Sequence, residues 1–229
     1  MFIELTEVLD CPLCRNELGL VAFVDELQER RVLEGHLGCP ECRAEYPIRG
    51  GGIDLSGLED GSDPSDESGV SPSDESSAGP GGPAPTVGCN DERAMQVAAL
   101  LGVRERAGAR LLVDESLAAC APAMVGWGER IEILTLVPVL ASEGPFGSGP
   151  GVTPVAGATH ARWPIRPHAL RGVALLGGSP DRLREAERVL TRGGRLAVLE
   201  PAPDVLDAIN DCDFEILAVE ARALAGARR

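Results

Sequence analysis

The sequence has no lysine. All 21 basic side chains are arginine, set against 36 acidic ones, for a net charge of -15. No segment carries the basic excess that phosphate neutralisation requires, so direct binding to RNA or DNA is not expected. Aromatic residues make up only 3% of the chain, which leaves a core to Leu, Val, Ile and Ala. No run approaches the roughly 18–20 apolar residues that span a bilayer. The opening MFIELTEVLD is acidic and lacks the basic and apolar regions of an export signal, so a cytoplasmic location away from membranes is expected. The GxSxG, P-loop, HExxH and EF-hand patterns are all absent, and no catalytic residue is assigned.

What the chain does contain is unevenly distributed. Residues 58–86 read LEDGSDPSDESGVSPSDESSAGPGGPAPT; from residue 59 on they hold seven acids and no base. Gly, Ser, Pro and acids cannot bury enough surface to offset the entropy of ordering, so a disordered acidic linker is expected here. It separates a module over 1–57 from one over 87–229. The fold class expected is α/β: a small β-rich module, followed by a Rossmann-like open sheet with flanking helices.

In the first module, 18–24, 31–37 and 44–48 have strand composition, with the charged DELQER between the first two. In the second, 109–115, 131–138, 172–178 and 194–200 look like buried, mainly parallel strands. Asn90 or Asp91 can cap a helix whose Ala94, Val97, Ala98 and Leu101 share a face. Ser179 and Pro180 open a second helix, with Leu183, Ala186 and Leu190 on one face and Gly193 as its terminator.

The chemistry-bearing pattern is Cys11-Pro-Leu-Cys14 with Cys39-Pro-Glu-Cys42. Two residues between cysteines let a tight turn aim both thiolates at one ion, and two such knuckles complete a tetrahedral tetrathiolate. All four positions are filled by protein, so one structural zinc ion is expected, supplying much of the folding free energy of a module with little core. Iron in a tetrathiolate site is the other metal this spacing admits. Redox use would call for a thioredoxin-like βαβ setting. Cys89, Cys120 and Cys212 stand alone in sequence and are expected to be ordinary small side chains. His36 is expected as a strand side chain, and His160 and His168 as loop residues.

LTEVLDCPLC and GCPECRAEYPIRGGGIDL resemble the zinc-ribbon family of tRNA methyltransferase subunit 112-like proteins. The likeness covers about a quarter of the chain. It is specific, because the Tyr46-Pro47-Ile48-Arg49 tail and Ile53 are not required by metal binding. It implies a partner protein for S-adenosylmethionine-dependent methyltransferases that modify tRNA, rRNA or translation factors. Tyr46, Pro47, Ile48 and Ile53 would then lie near the partner-docking surface; the alternative is that they pack the ribbon's own core.

ARWPIRPHALRGVALLGGSPDRLREAERVLTRGGRLAVLEP (161–201) is similar to the second half of class I S-adenosylmethionine-dependent methyltransferases. That resemblance places 109–115 as the first strand and 131–138 as the second. The cofactor features it calls for are missing. The turn after the first strand, Val113 to Cys120, has no glycine to let backbone approach a ligand. The second strand ends Leu136-Val137-Pro138-Val139 without an acid for the ribose. The position of an adenine-side Asp falls near Thr159-His160. Asp114 and Glu115 sit at a strand's carboxyl end, where they could reach a ligand, but are expected as exposed charges at a strand–helix junction, and Trp163 as packing. Binding of S-adenosylmethionine is therefore not expected.

The function this suggests is a non-catalytic zinc-binding adaptor, with a methyltransferase or its own C-terminal module as protein partner. The alternatives are an active methyltransferase with its activator fused in cis, and a ribbon adaptor unrelated to methylation. A tether of this kind sets an effective concentration of ~millimolar order, which favours an internal contact.

Overall fold

The computed structural model describes residues 1–15, 18–56, 89–105, 107–140, 149–157, 162–220 and 222–229. The expected linker over 58–86, and the Thr159-His160 position, lie outside the described residues. The strands are β1 Val21–Gln28, β2 Arg31–Gly38, β3 Glu45–Arg49, β4 Gly52–Asp54, β5 Arg110–Val113, β6 Glu132–Val137, β7 Val152–Ala156, β8 Leu170–Leu176, β9 Leu190–Leu199, β10 Phe214–Glu220 and β11 Ala223–Arg228. The helices are α1 Asp91–Leu101, α2 Ala121–Val125, α3 Pro180–Val189 and α4 Pro203–Ala208.

All eleven strands form a single sheet, in the order β1-β2-β3-β4-β7-β6-β5-β8-β9-β11-β10. From β7 onward the pairs are parallel as far as β9, and β11 and β10 are then added antiparallel. Counted within the second module, the spatial order is third, second, first, fourth, fifth, seventh, sixth. The order reverses between β5 and β8, which is the switch point where open α/β sheets hold ligands.

The first module is not a separate bead. β1, β2, β3 and β4 form an antiparallel meander, and β4 then pairs in parallel with β7, Ile53 opposite Val155 and Asp54 opposite Ala156. Leu55 N donates to Ala156 O at 3.0 Å. A second seam runs beside it: Leu9 bridges Ile165, Asp10 N donates to Pro164 O at 3.0 Å, and Arg166 N donates to Val8 O at 2.8 Å. One hydrophobic cluster accordingly joins Leu9, Tyr46, Ile48 and Ile53 to Val155, Trp163, Ile165, Val173 and Leu183. The opposite face of the sheet packs Ala94, Val97 and Leu101 of α1 over Leu111, Val113 and Ile133.

Local sequence explains both ends of α1 and the start of α3. Asn90 caps α1, accepting from Arg93 N at 2.8 Å, and Gly102 closes it at φ 65°. Ser179 caps α3, accepting from Arg182 N at 3.3 Å. The other end of α3 departs from expectation. The helix stops at Val189, Leu190 is extended and begins β9, and Gly193 (φ 68°) turns within that strand's range instead of terminating the helix. DELQER is also corrected: most of it continues β1 to Gln28, and only Glu29 and Arg30, both at positive φ, make the turn.

Candidate metal centre and the closed crevice

Knuckle one, Cys11–Cys14, follows the short 3₁₀ turn Ile3–Glu7, whose Leu5 is buried and fixes its approach. Knuckle two, Cys39–Cys42, is the turn between β2 and β3, closed by Arg43 N donating to Cys39 O at 3.0 Å. The four Sγ atoms all lie within 4.8 Å of one another, with Cys11–Cys42 at 3.6 Å and Cys14–Cys39 at 3.4 Å. A tetrahedral tetrathiolate with metal–sulfur bonds of about 2.3 Å has sulfur edges of about 3.8 Å. None of the four is in a disulfide. Cys42 N points at Cys39 Sγ (3.5 Å) and the Tyr46 hydroxyl lies 3.2 Å from Cys11 Sγ, contacts that stabilise thiolate charge. Burial and the cysteines together push the Tyr46 hydroxyl pKa up, so it remains a donor. The donor set and spacing fit a closed, four-coordinate structural metal, with no position left for water.

The residues assigned by resemblance to docking divide between two surfaces. Tyr46, Ile48 and Ile53 are buried in the cluster shared with the second module, and Pro47 is half-buried on the other face of β3. The three buried residues therefore pack the core that the two modules share.

At the switch point the expectation for Asp114 is overturned. Its side chain is fully buried, and both carboxylate oxygens are engaged. Oδ1 accepts from Leu117 N at 3.2 Å; Oδ2 accepts from Leu176 N at 2.9 Å and from Arg182 Nη1 at 3.2 Å. Arg182 also reaches Glu115 Oε1 at 3.4 Å, and Glu115 is half-buried. One carboxylate therefore ties the end of β5 to the end of β8 and to α3, across the crevice. The reason it is buried lies 68 residues along the chain, in Arg182, which sequence inspection did not single out. The 3₁₀ turn Glu115–Cys120 buries Leu117, Ala118 and Cys120 beneath this tie, where a glycine-rich turn would leave backbone exposed.

Desolvation raises the Asp114 pKa from 3.8 to about 6, opposed by Leu176 N and Arg182. The fold thus prefers the protonated acid. Its contribution is complete below about pH 4 and is lost as pH rises through 6, a span of roughly 3 kcal/mol. Asp114→Asn, neutral at every pH, is expected to gain on the parent by that order between pH 4 and 7. Urea midpoints across the range check this, and parallel curves would refute it.

Cys89 and Cys120 are corrected as well. They form a disulfide, S–S 2.11 Å, that ties the start of α1 to the turn after β5. Cys212 remains a buried thiol. Trp163 is buried, its carbonyl accepting from Arg188 Nη2 at 3.0 Å and its amide donating to Glu185 Oε2 at 3.0 Å. His168 lies in the loop before β8, Nδ1 3.3 Å from Leu190 O.

A metal-type ribbon built onto the edge of a doubly wound sheet is the class the geometry defines. Residues 3–51 match the family described as Trm112p-like protein. The N-terminal part of the chain is thus similar to that family, and the remainder has an open α/β sheet fold. Among solved structures, geranyl diphosphate C-methyltransferase from Streptomyces coelicolor A3(2), in complex with Mg2+, geranyl-S-thiolodiphosphate and S-adenosyl-L-homocysteine, is similar at TM-score 0.50 and 11% identity. That match covers 60% of this chain and 76% of that one. The [4+2]-cyclase SpnF is similar at TM-score 0.46 and 19% identity over 56% of this chain, which spans 58% of the cyclase. A chain from the complex of the Haloferax volcanii Trm112 methyltransferase activator is similar at TM-score 0.46 and 10% identity, covering 58% of this chain and 87% of that one. No curated protein matches in sequence. Among the described residues no helix is long and apolar enough to cross a membrane.

Proposed function

We propose that the chain is a non-catalytic, zinc-dependent adaptor of the methylation machinery. In this reading its Trm112-like ribbon, held by Cys11, Cys14, Cys39 and Cys42 on one zinc ion, docks in cis on a methyltransferase-like domain that no longer uses its cofactor. Tyr46, Ile48 and Ile53 serve the docking contact. The methyltransferase that the adaptor supports acts on RNA or the translation machinery in the cytoplasm, and is engaged by surfaces other than the β4 edge, which β7 already occupies. The observation that carries the non-catalytic reading is the Asp114–Arg182 tie across the switch point, backed by a following turn without glycine.

The rival reading is an active methyltransferase with its activator fused in cis. What favours it is the seven-stranded order of the second module, complete and with its crossing point in the usual place. Calorimetric titration of S-adenosylmethionine into the zinc-loaded protein separates the two. No saturable heat is expected up to ~1 mM. Saturation at ~1–100 μM, about -8 to -5.5 kcal/mol, would establish the enzyme reading instead.

A further inference from the structure

β1 is the outer edge of the sheet, and it is apolar on both sides while open to solvent. Val21 and Phe23 are 49% and 51% exposed; Val24 and Leu27 are 40% and 55% exposed. The ring of Phe23 lies parallel to His36 of β2, centroids 4.6 Å apart at 8°. In register, Phe23 faces His36 and His36 faces Pro47, so a flat row crosses three strands on the face turned away from the shared core. β1 is bulged on either side of Glu26, which blunts that end, but Val21–Val24 pair regularly with β2, and their outer edge, apolar on both faces, is a template for an added strand.

Charge selects the occupant. Asp25, Glu26 and Glu29 lie along β1 and its turn, against Arg30 in that turn and Arg31 at the start of β2, and Glu34 is exposed on β2 and Glu45 on β3 beyond it. The chain's own 59–86 segment carries seven acids and no base and is repelled. A second copy would bring the same acids against itself, or would offer the opposite edge, β10, which carries Glu215 and Glu220. Nucleic acid is excluded by the same sign. We infer that the β1 edge receives a basic, extended segment of another protein, arginine- and valine-like in chemistry. It adds antiparallel or parallel to β1 and lays a guanidinium over the Phe23–His36 pair. This surface is independent of the β4–β7 contact and of whether the second module binds a cofactor.

The test uses the full zinc-loaded chain and a nonapeptide alternating arginine and valine, titrated by calorimetry and amide NMR. Saturable one-to-one binding is expected, with the largest amide changes in β1, weakened at least ~10-fold, about 1.4 kcal/mol, by the double change D25R and E26R. Neutralising the acids of 59–86 is expected to leave the affinity within about twofold. Retained thiol protection in the double variant shows that the ribbon still holds its metal. Equal binding of a glutamate–valine peptide, loss of binding on neutralising 59–86, or a concentration-dependent dimer lost on D25R/E26R would each overturn the proposal.

Discussion

Replacing Cys39 with serine is expected to unfold the ribbon and to lower the stability of the α/β half with it. Cys39 is nearly inaccessible, and its Sγ lies 3.4 Å from Cys14 Sγ and receives Cys42 N. A structural tetrathiolate contributes about 10–16 kcal/mol in small zinc modules, as much as a domain's whole stability of about 5–15 kcal/mol, so losing one thiolate is expected to unfold this one. The loss then propagates. Leu9, Tyr46, Ile48 and Ile53 share a cluster with Val155, Trp163, Ile165 and Leu183, and the edge of β7 loses its partner strand. The parent should release one zinc per chain and melt in a single transition. Cys39→Ser should retain close to none and melt far lower, with fluorescence and circular dichroism following the same transition. An unchanged second transition would mean that the two halves fold independently.

Gly157→Val should be nearly as damaging, though it touches neither metal nor helix. Gly157 sits just past β7 at φ 75°, a conformation that costs a β-branched residue heavily. A Cβ placed there would lie 2.1 Å from Ser56 N and 2.3 Å from Ser56 Cα, just beyond β4. Backbone cannot yield as a side-chain tip can, so relief requires pulling β4 away from β7. We expect a loss of about 3 kcal/mol or more, read as a shifted urea midpoint, together with faster amide exchange at Leu55. Ser56→Gly would not rescue it, because the colliding atoms are main chain. A neutral outcome would place the junction elsewhere.

Sequence made some of this legible and concealed the rest for physical reasons. The metal ligands are legible because CxxC geometry is local: two thiolates in one tight turn, twice over. The caps of α1 and α3 are legible for the same reason, since Asn90 and Ser179 reach amides only three residues on. β1 runs past its apparent end because an edge strand solvated on both faces needs no alternation, so DELQ carries no signal. β7 is masked by Pro154, which argues against a buried strand. β4 is three residues long among glycines and takes its identity only from Val155 across the seam. Long-range pairings stay invisible: Asp114 is recognisable as a tie only once Arg182 is beside it, and Cys89 as half of a disulfide only once Cys120 is. The absent glycine turn could be read directly, but what fills its place could not.

Above all, the ribbon is held by its own α/β half. A protease site introduced within residues 58–86, cut after folding in the presence of zinc, tests this without altering either partner. Fragments 1–57 and 87–229 are expected to remain together through gel filtration at low micromolar concentration and to separate only when the metal is stripped. Fragments that separate while the ribbon still holds zinc would contradict it.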